Sequence, residues 1–365
     1  MPDRIVDCQG CIVAPGFIDI QINGAFGVDF SCDVTDKESG EHVLRKIGQG
    51  ILAHGVTAYC PTVVTSPPSV YRSVLPHLPR ASGGVHGAAV LGVHVEGPFI
   101  STQKKGAHPE EHIACPSDGI RSLDEVYGDG LENVALITLA PELEWAMEVM
   151  FTFSFWTIGQ SSLPGDRSLR HQRHCGVSGS YNVDNFSGRS KLNLFSTTTC
   201  SGRRSSETRC STGDPPVQRH AKLPSQGPWA CWSPCFGETR QQPGYSHLCL
   251  LLNLYHAPKA SFELLHSIFD NFKLMSASPR LQVWCGIIAD GVHTHPTSIR
   301  IAYKTNFKSL VLVTDAILAM GYKDGKYQFG QQEIEVCGDQ AWVAGTSTLT
   351  GSVATMQRSV VKFLK

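Results

Sequence analysis

The sequence predicts an α/β protein built on a parallel sheet, and three observations carry that reading. Short β-rich apolar runs alternate with helix-length amphipathic stretches at the pace of β-α units. The same texture stops near residue 150 and returns after residue 280. Several of the apolar runs end abruptly in a carboxylate or an imidazole, as strands that deliver chemistry to one rim of a sheet do.

In chain order, the first run is Ile12 to Ile22, followed by a helical interval from Glu38 to His54. Ala58 to Val64 reads as a strand, Pro67 to Leu78 as a helix, and Val90 to Val95 and Val134 to Leu139 as buried strands. After the interruption, Val283 to Ala289 and Ser309 to Thr314 read as strands with a helix over Thr297 to Lys304 between them. The interruption, residues 151 to 245, has a different composition: 15 Ser, 11 Lys or Arg, only 5 acidic residues and 5 of the 13 cysteines. Stretches such as Ser201-Gly202-Arg203-Arg204-Ser205-Ser206 follow neither a helical nor a strand period and offer little with which to build a core.

Composition narrows the function. The chain has 365 residues, is 41% hydrophobic and 17% charged, and carries a formal charge of −1. That length suits one large domain with a small one, and that charge gives no reason to expect nucleic acid or an anionic membrane as partner. A basic Ser/Arg segment lacking aromatic interleaving is a poor RNA binder. No signal-type apolar core follows Met1-Pro2-Asp3-Arg4, and the longest apolar stretches, such as Leu248 to Leu252, fall short of a bilayer span. Thirteen scattered cysteines do not read as a disulfide framework, so the expected compartment is reducing and cytoplasmic. Cys8-x-x-Cys11 and Cys231-x-x-x-Cys235 lack second pairs at zinc spacing and read as free thiols.

Four segments can carry chemistry. Val90 to Val95 runs into Glu96-Gly97-Pro98-Phe99, which places a carboxylate at a strand end or on an exposed loop. Leu310 to Val313 delivers Asp315, which on pattern alone is either a second rim carboxylate or the N-cap of a helix through Ile317 to Met320. Ile287 to Ala289 leads into Asp290-Gly291-Val292-His293-Thr294-His295, where His-x-His on one strand face makes a metal pair and on a turn makes surface histidines. In Pro15-Gly16-Phe17-Ile18-Asp19-Ile20-Gln21-Ile22-Asn23-Gly24, Gln21 and Asn23 share a face at ligand spacing, but amides are weak zinc ligands.

Taken together these segments resemble the N-acetylglucosamine-6-phosphate deacetylases of the amidohydrolase superfamily. The likeness rests on Pro15 to Asp19 with Gln21-x-Asn23, on His94 to Phe99 continuing to Lys105-Gly106-Ala107-His108-Pro109, and on Ala289-Asp290-Gly291-x-His293. It continues through Val313-Thr314-Asp315-Ala316, Ala344-Gly345-Thr346 and Leu349-Thr350-Gly351-Ser352, so that it spans about residues 5 to 150 and 283 to 363. The resemblance implies a TIM-type (β/α)8 barrel with a small β domain made from both chain ends. It implies a divalent metal ion of the zinc or iron class with Glu96 as a ligand, and Asp315 as the acid/base. It further implies that His293 orients the acetyl carbonyl or the sugar, and that Ala107, Asp290, Gly291, Leu349, Thr350 and Gly351 line the amino-sugar phosphate pocket. A homodimer is the assembly it implies.

The chain departs from that pattern in the interruption. The two histidine ligand motifs, Gly-His-Ser and Thr-His-Leu-Phe-Asn-Ala-Met, do not occur, and His174, His220 and His247 lack their flanking residues. Reading Asp214 to Ala221 from the second base of each codon permits Thr-His-Leu-Phe-Asn-Ala-Met at every step. Continued through Lys222 to Pro234, the same frame permits Phe-His-His-Arg-Asp-Pro-Gly-Leu-Val-Gly-Leu-Leu, which resembles the stretch after that motif in the family. Residues near 214 to 235 are therefore expected to be a shifted reading frame. The expected organisation is a remnant of the small domain over 1–14, barrel over 15–150, an aberrant low-order segment over 151–245, and later barrel over 246–365 without its C-terminal end. A ring missing an internal strand or two is not expected to close. The reaction expected is deacetylation of N-acetylglucosamine 6-phosphate, with this chain weak or inactive; the alternative is a non-catalytic product that at most binds a sugar phosphate or a partner.

Overall fold

The computed structural model describes residues 7–9, 13–85, 87–140, 143–146, 148–149, 191–195, 248–253, 281–329 and 332–365. Strand β1 (Phe17–Ile22) is followed by the small ladder of β2 (Gly24–Ala25) and β3 (Val28–Asp29), and then by helix α1 (Lys37–Leu52). α1 starts at a capping box: the Asp36 carboxylate accepts the Ser39 N–H at 2.8 Å, and Ser39 Oγ accepts the Asp36 N–H at 3.0 Å. Val43, Ile47 and Ile51, four residues apart, make its buried stripe.

β4 (Val56–Val64), α2 (Pro68–Val74), β5 (Ala89–Val90) and β6 (Val93–Glu96) come next. The single run expected from Val90 to Val95 is broken at Gly92. There φ is +122°, and a Cβ would stand 2.9 Å from Asn133 O, so only glycine turns the chain between β5 and β6. α3 (Arg121–Tyr127) and β7 (Val134–Leu139) complete the first zone. β8 (Lys191–Phe195), β9 (Leu248–Asn253), β10 (Leu281–Ile288), α4 (Pro296–Asn306) and β11 (Leu310–Val313) lead to an antiparallel sheet of β12 (Gly325–Phe329), β13 (Gln332–Cys337) and β14 (Gln340–Val343), and α5 (Met356–Phe363) ends the chain.

The large sheet runs β1-β4-β6-β7-β8-β9-β10-β11, with β5 paired to β4 beside this path. Its two ends meet: Ile22 and Ala316 form a parallel bridge, Asn23 N–H donates to Ala316 O at 2.7 Å, and Asp315 N–H donates to Gln21 O at 2.9 Å. The sequence expects a ring lacking a strand or two. The described ring counts eight, but β8 runs antiparallel to both β7 and β9, whereas every other neighbouring pair along the path is parallel. A reversed strand puts its C-terminal end on the rim opposite to that of its neighbours.

Ile20, Ala58, Cys60, Leu136, Ile288 and Val313, from β1, β4, β7, β10 and β11, pack together with Leu91 of the β5–β6 turn. A larger cluster, including Ile22, Val43, Ile47, Tyr59, Val63, Val95 and Ile137, fills the layer between strands and helices. A third, made by Ile317, Ala319, Ile334, Val336 and Ala341, seats the small sheet near the end of β11. Among the described residues no helix is long and apolar enough to cross a membrane.

The expected shifted-frame segment near 214 to 235 lies outside the described residues, as do His174, His220, His247, Cys11, Cys231 and Cys235. β8 falls within the expected low-order segment 151–245.

Candidate active site

Four of the residues singled out in the sequence, Gln21, Asn23, Glu96 and Asp315, come together where the ring closes. Glu96 ends β6, is buried, and pairs in register with Val64 and Thr138 on the flanking strands. Asp315 comes just after β11, is also buried, and has φ of +49°, a backbone state unusual outside glycine and held here by its neighbours. Its N–H is tied to Gln21 O, and its carbonyl accepts the Ser352 N–H at 2.8 Å. No helix starts there: residues 318–320 form a turn, so the N-cap alternative is corrected. The ring-closing pairing on one side and the Ser352 pairing on the other leave Asp315 no helical continuation.

Two amides join the carboxylates. The register of β1 against β4 shifts between Asp19 and Ile22. Beyond that shift, Gln21 Nε2 donates to Glu96 Oε2 at 3.0 Å and to Asp315 Oδ1 at 3.2 Å. Asn23 Nδ2 donates to the same Asp315 oxygen at 2.8 Å. His108 approaches from the loop after β6: its Nδ1 accepts the Thr65 N–H at 3.3 Å, and its Nε2 lies 3.5 Å from Glu96 Oε1. With Nδ1 accepting, the proton of a neutral ring sits on Nε2 and points toward the carboxylate.

Asp290 and His293 form a second buried unit. Asp290 Oδ1 accepts the N–H groups of Val292 and His293 at 2.9 and 2.8 Å, and its Oδ2 faces His293 Nδ1 at 2.6 Å. His293 Nε2 faces Thr350 O at 2.8 Å. Both ring nitrogens thus face acceptors, which an imidazolium satisfies and a neutral ring does not. Burial by itself would lower the His293 pKa, but the hydrogen bond and charge of Asp290, the Thr350 carbonyl and the Asp315 charge hold it above its usual value. Burial would raise Asp290, and the His293 contacts with the two backbone N–H groups hold it below the ordinary carboxylate range.

The segment Leu349-Thr350-Gly351-Ser352 lies between the small sheet and the Asp315 turn. Leu349 bridges Trp342, Thr350 N–H donates to Ala341 O at 2.9 Å, and Ser352 bridges Ala316. Gly351 packs so closely that a Cβ would stand 2.5 Å from Asp315 O. Ala107 is half-buried next to His108, whereas Gly291 is exposed, and a Cβ there would meet Lys362 Nζ at 3.0 Å rather than the carboxylate pair. His295 caps α4 by accepting the Thr297 N–H at 3.1 Å, so the two imidazoles of His-x-His do not form a metal pair.

Sequence reasoning weighed Gln21 and Asn23 only as metal ligands and gave His108 and Asp19 no role. The signal for the amides was their period-2 spacing on one strand face. Asp19 is the buried anchor of the closing seam, taking the Thr314 hydroxyl at 2.6 Å and the Thr314 N–H at 3.2 Å. Burial pushes its carboxyl up to about 6, against the lowering effect of those bonds.

The fold is thus an α/β barrel whose rim gathers two buried carboxylates, with a carboxylate-held imidazole beside them, which is where barrel enzymes carry their sites. No family model matches the chain. It is 40% identical over 369 residues to the N-acetylglucosamine-6-phosphate deacetylase of Bos taurus, covering 100% of this chain and 71% of that protein. It is likewise 40% identical over 365 residues to the human protein of the same name, with the same coverage. The crystal structure of N-acetylglucosamine-6-phosphate deacetylase from Pasteurella multocida superposes with a TM-score of 0.57 at 21% identity, covering 100% of this chain and 75% of that one. The chain belongs to the N-acetylglucosamine-6-phosphate deacetylase family.

Proposed function

We propose that the reaction of this protein is hydrolysis of the acetamide of N-acetylglucosamine 6-phosphate to glucosamine 6-phosphate and acetate, and that the chain with this sequence performs it weakly. The observation that carries the reading is the buried Glu96–Gln21–Asp315 bridge at the barrel seam, within a chain of this family. Amide hydrolysis needs a base for the attacking water and an acid for the departing nitrogen. Asp315 serves as both in turn: it takes a proton from water as oxygen adds to the carbonyl carbon, then gives it to nitrogen as the C–N bond breaks. Gln21 and Asn23 fix the Asp315 carboxylate. The Asp290-held imidazolium of His293, together with Ala107, Gly291 and residues 349–351, provides the surroundings of the sugar phosphate.

The resemblance implies a divalent metal of the zinc or iron class with Glu96 as ligand. The described residues do not complete such a site. Between the two carboxylates lies the Gln21 N–H donor, not a lone pair. Among the described residues no group of three or more His, Cys, Asp or Glu is placed to hold a metal. A carboxylate without an imidazole pair is a poor home for a catalytic metal, which is the reason for weak turnover. Residues 15–150 and 246–365 are the barrel in this reading, 151–245 is an aberrant insert, the cytoplasm is the compartment and a homodimer the assembly.

Metal analysis of the purified chain, paired with acetate release and calorimetric binding of N-acetylglucosamine 6-phosphate, tests both halves. The expected result is binding with substoichiometric metal and little acetate. Near-stoichiometric zinc or iron with rapid acetate release overturns the weak-turnover half, and the absence of both binding and release overturns the substrate.

A further inference from the structure

Among the described residues, a buried polar atom at the seam, Asn23 Oδ1, has no hydrogen-bond partner. Asn23 is 3% exposed, and its Oδ1 accepts no hydrogen bond. Its amide cannot simply be turned over: Nδ2 meets an Asp315 oxygen that also accepts from Gln21, and a flipped amide would set oxygen against that same oxygen. Nor can the residue withdraw. Its N–H is tied to Ala316 O at 2.7 Å, and its carbonyl accepts the Phe30 N–H at 3.0 Å. A buried acceptor pinned on both sides and without a partner among the described residues is uncommon in folded proteins and calls for a physical reason, of which a bound ligand is one.

We propose that Asn23 Oδ1 accepts the N–H of the substrate's acetamido group, which makes Asn23 a specificity-determining residue for amides over esters. This rests on the deacetylase reading above. Asp315 delivers a proton to the departing nitrogen, so that nitrogen must lie beside Asp315, and the nearest side-chain amide bonded to Asp315 is that of Asn23. When water adds to the carbonyl carbon, one of its protons passes to Asp315 and the nitrogen becomes pyramidal, with one N–H and one lone pair. If Oδ1 holds the N–H, the lone pair turns toward Asp315. The proton moves from Asp315 to nitrogen and the C–N bond breaks with its electron pair going to nitrogen. The acetic acid formed then gives its proton to the amine. An ester places an oxygen lone pair against Oδ1 where the amide places a hydrogen, and a site built around a substrate N–H rejects the analogue lacking it.

The test is calorimetric binding of N-acetylglucosamine 6-phosphate and of its 2-O-acetyl counterpart to the full chain, with and without Asn23→Ala. In the unaltered protein the amide is expected to bind about tenfold more tightly than the ester, about 1.4 kcal/mol. In Asn23→Ala the two should bind within about twofold of each other. Equal binding of the two ligands to the unaltered protein overturns the proposal, as does a tenfold gap that survives in Asn23→Ala. Should Asn23→Ala fail to give the wild-type circular dichroism spectrum, the two-ligand comparison on the unaltered protein decides alone. If neither ligand binds the unaltered protein, the substrate reading fails instead, and the two failures are distinguishable.

Discussion

Asp19→Asn is the perturbation whose size comes most directly from the structure. Asp19 is 1% exposed, and burial raises its carboxyl from 3.8 to about 6. A shift of about two units corresponds to ~3 kcal/mol between the protonation states. Because the folded value is the higher one, the associated stability is fully present below pH 3.8 and is lost as pH rises through about 6. Asp29 behaves alike, raised by burial to about 7, so it adds a second loss that extends about one unit further. An asparagine at 19 stays neutral throughout. The Thr314 hydroxyl, 3.4 Å from Gln21 O, can donate there and accept from the new amide, so the seam survives. Urea unfolding of both proteins from pH 4 to 7 should show the variant losing ~3 kcal/mol less than wild type over that interval, with the Asp29 loss remaining in both. Parallel curves would refute the reasoning, since they would mean that the Asp19 carboxyl ionises in the fold as easily as in the unfolded chain.

The same geometry sets the outcome of three other substitutions. Asp315→Asn should lower the remaining acetate release by ~10²-fold or more while leaving substrate binding measurable, because on the proposed mechanism it removes the proton carrier and not the pocket; acetate assay and calorimetry check the pair. Gly351→Ala drives a Cβ onto Asp315 O and Ile317 Cγ2 at 2.5 and 2.8 Å, and should cost ~1–3 kcal/mol in denaturant unfolding. Asp290→Asn removes the charge and weakens the hydrogen bond that, together with the Thr350 carbonyl and the Asp315 charge, offset burial at His293, so an imidazole that titrates above 6.5 in the wild type by NMR should titrate below it in the variant. The His293 contribution to stability, fully present below 6.5 and lost as pH rises through its folded value, should vanish with it.

Much of the fold was legible because its apolar runs are local. Val134 to Leu139 forms a strand over the residues read from sequence, and the helix expected from Glu38 to His54 forms over Lys37–Leu52. The errors lie where backbone geometry decides. Gly92 breaks one run in two, and Asp315 turns into the site because pairings with Gln21 and Ser352, far apart in sequence, claim its backbone. The amides were visible as a spacing, yet their role was not. Only ring closure sets Gln21 and Asn23, separated from Asp315 by 294 and 292 positions, against the same oxygen. The pairing of Asp290 with His293 is local, three residues apart, but the second acceptor that faces the ring comes from Thr350, 57 positions on.

The same closure gathers, away from the interruption, the groups proposed to hold the acetamide and to carry its proton. Glu96, Gln21, Asn23 and Asp315 come from the two zones with regular β-α texture and assemble at the seam between β1 and β11, with the His293–Thr350 pair also outside the interruption. The reversed β8 and its neighbour β9 lie across the ring from that seam, in the part of the path beyond β7. A strand that runs backward brings its first residues, not its last, to the rim where the carboxylates stand. It therefore cannot present a ligand from its C-terminal end to them. The Gln21, Asn23 and Asp315 cluster, to which acetamide recognition and proton transfer are assigned by proposal, is thus built independently of the segment from which the histidine motifs are missing. A chain with this arrangement should hold its substrate and turn it over slowly, and binding measured apart from acetate release is what distinguishes that state from a complete enzyme and from an inert barrel.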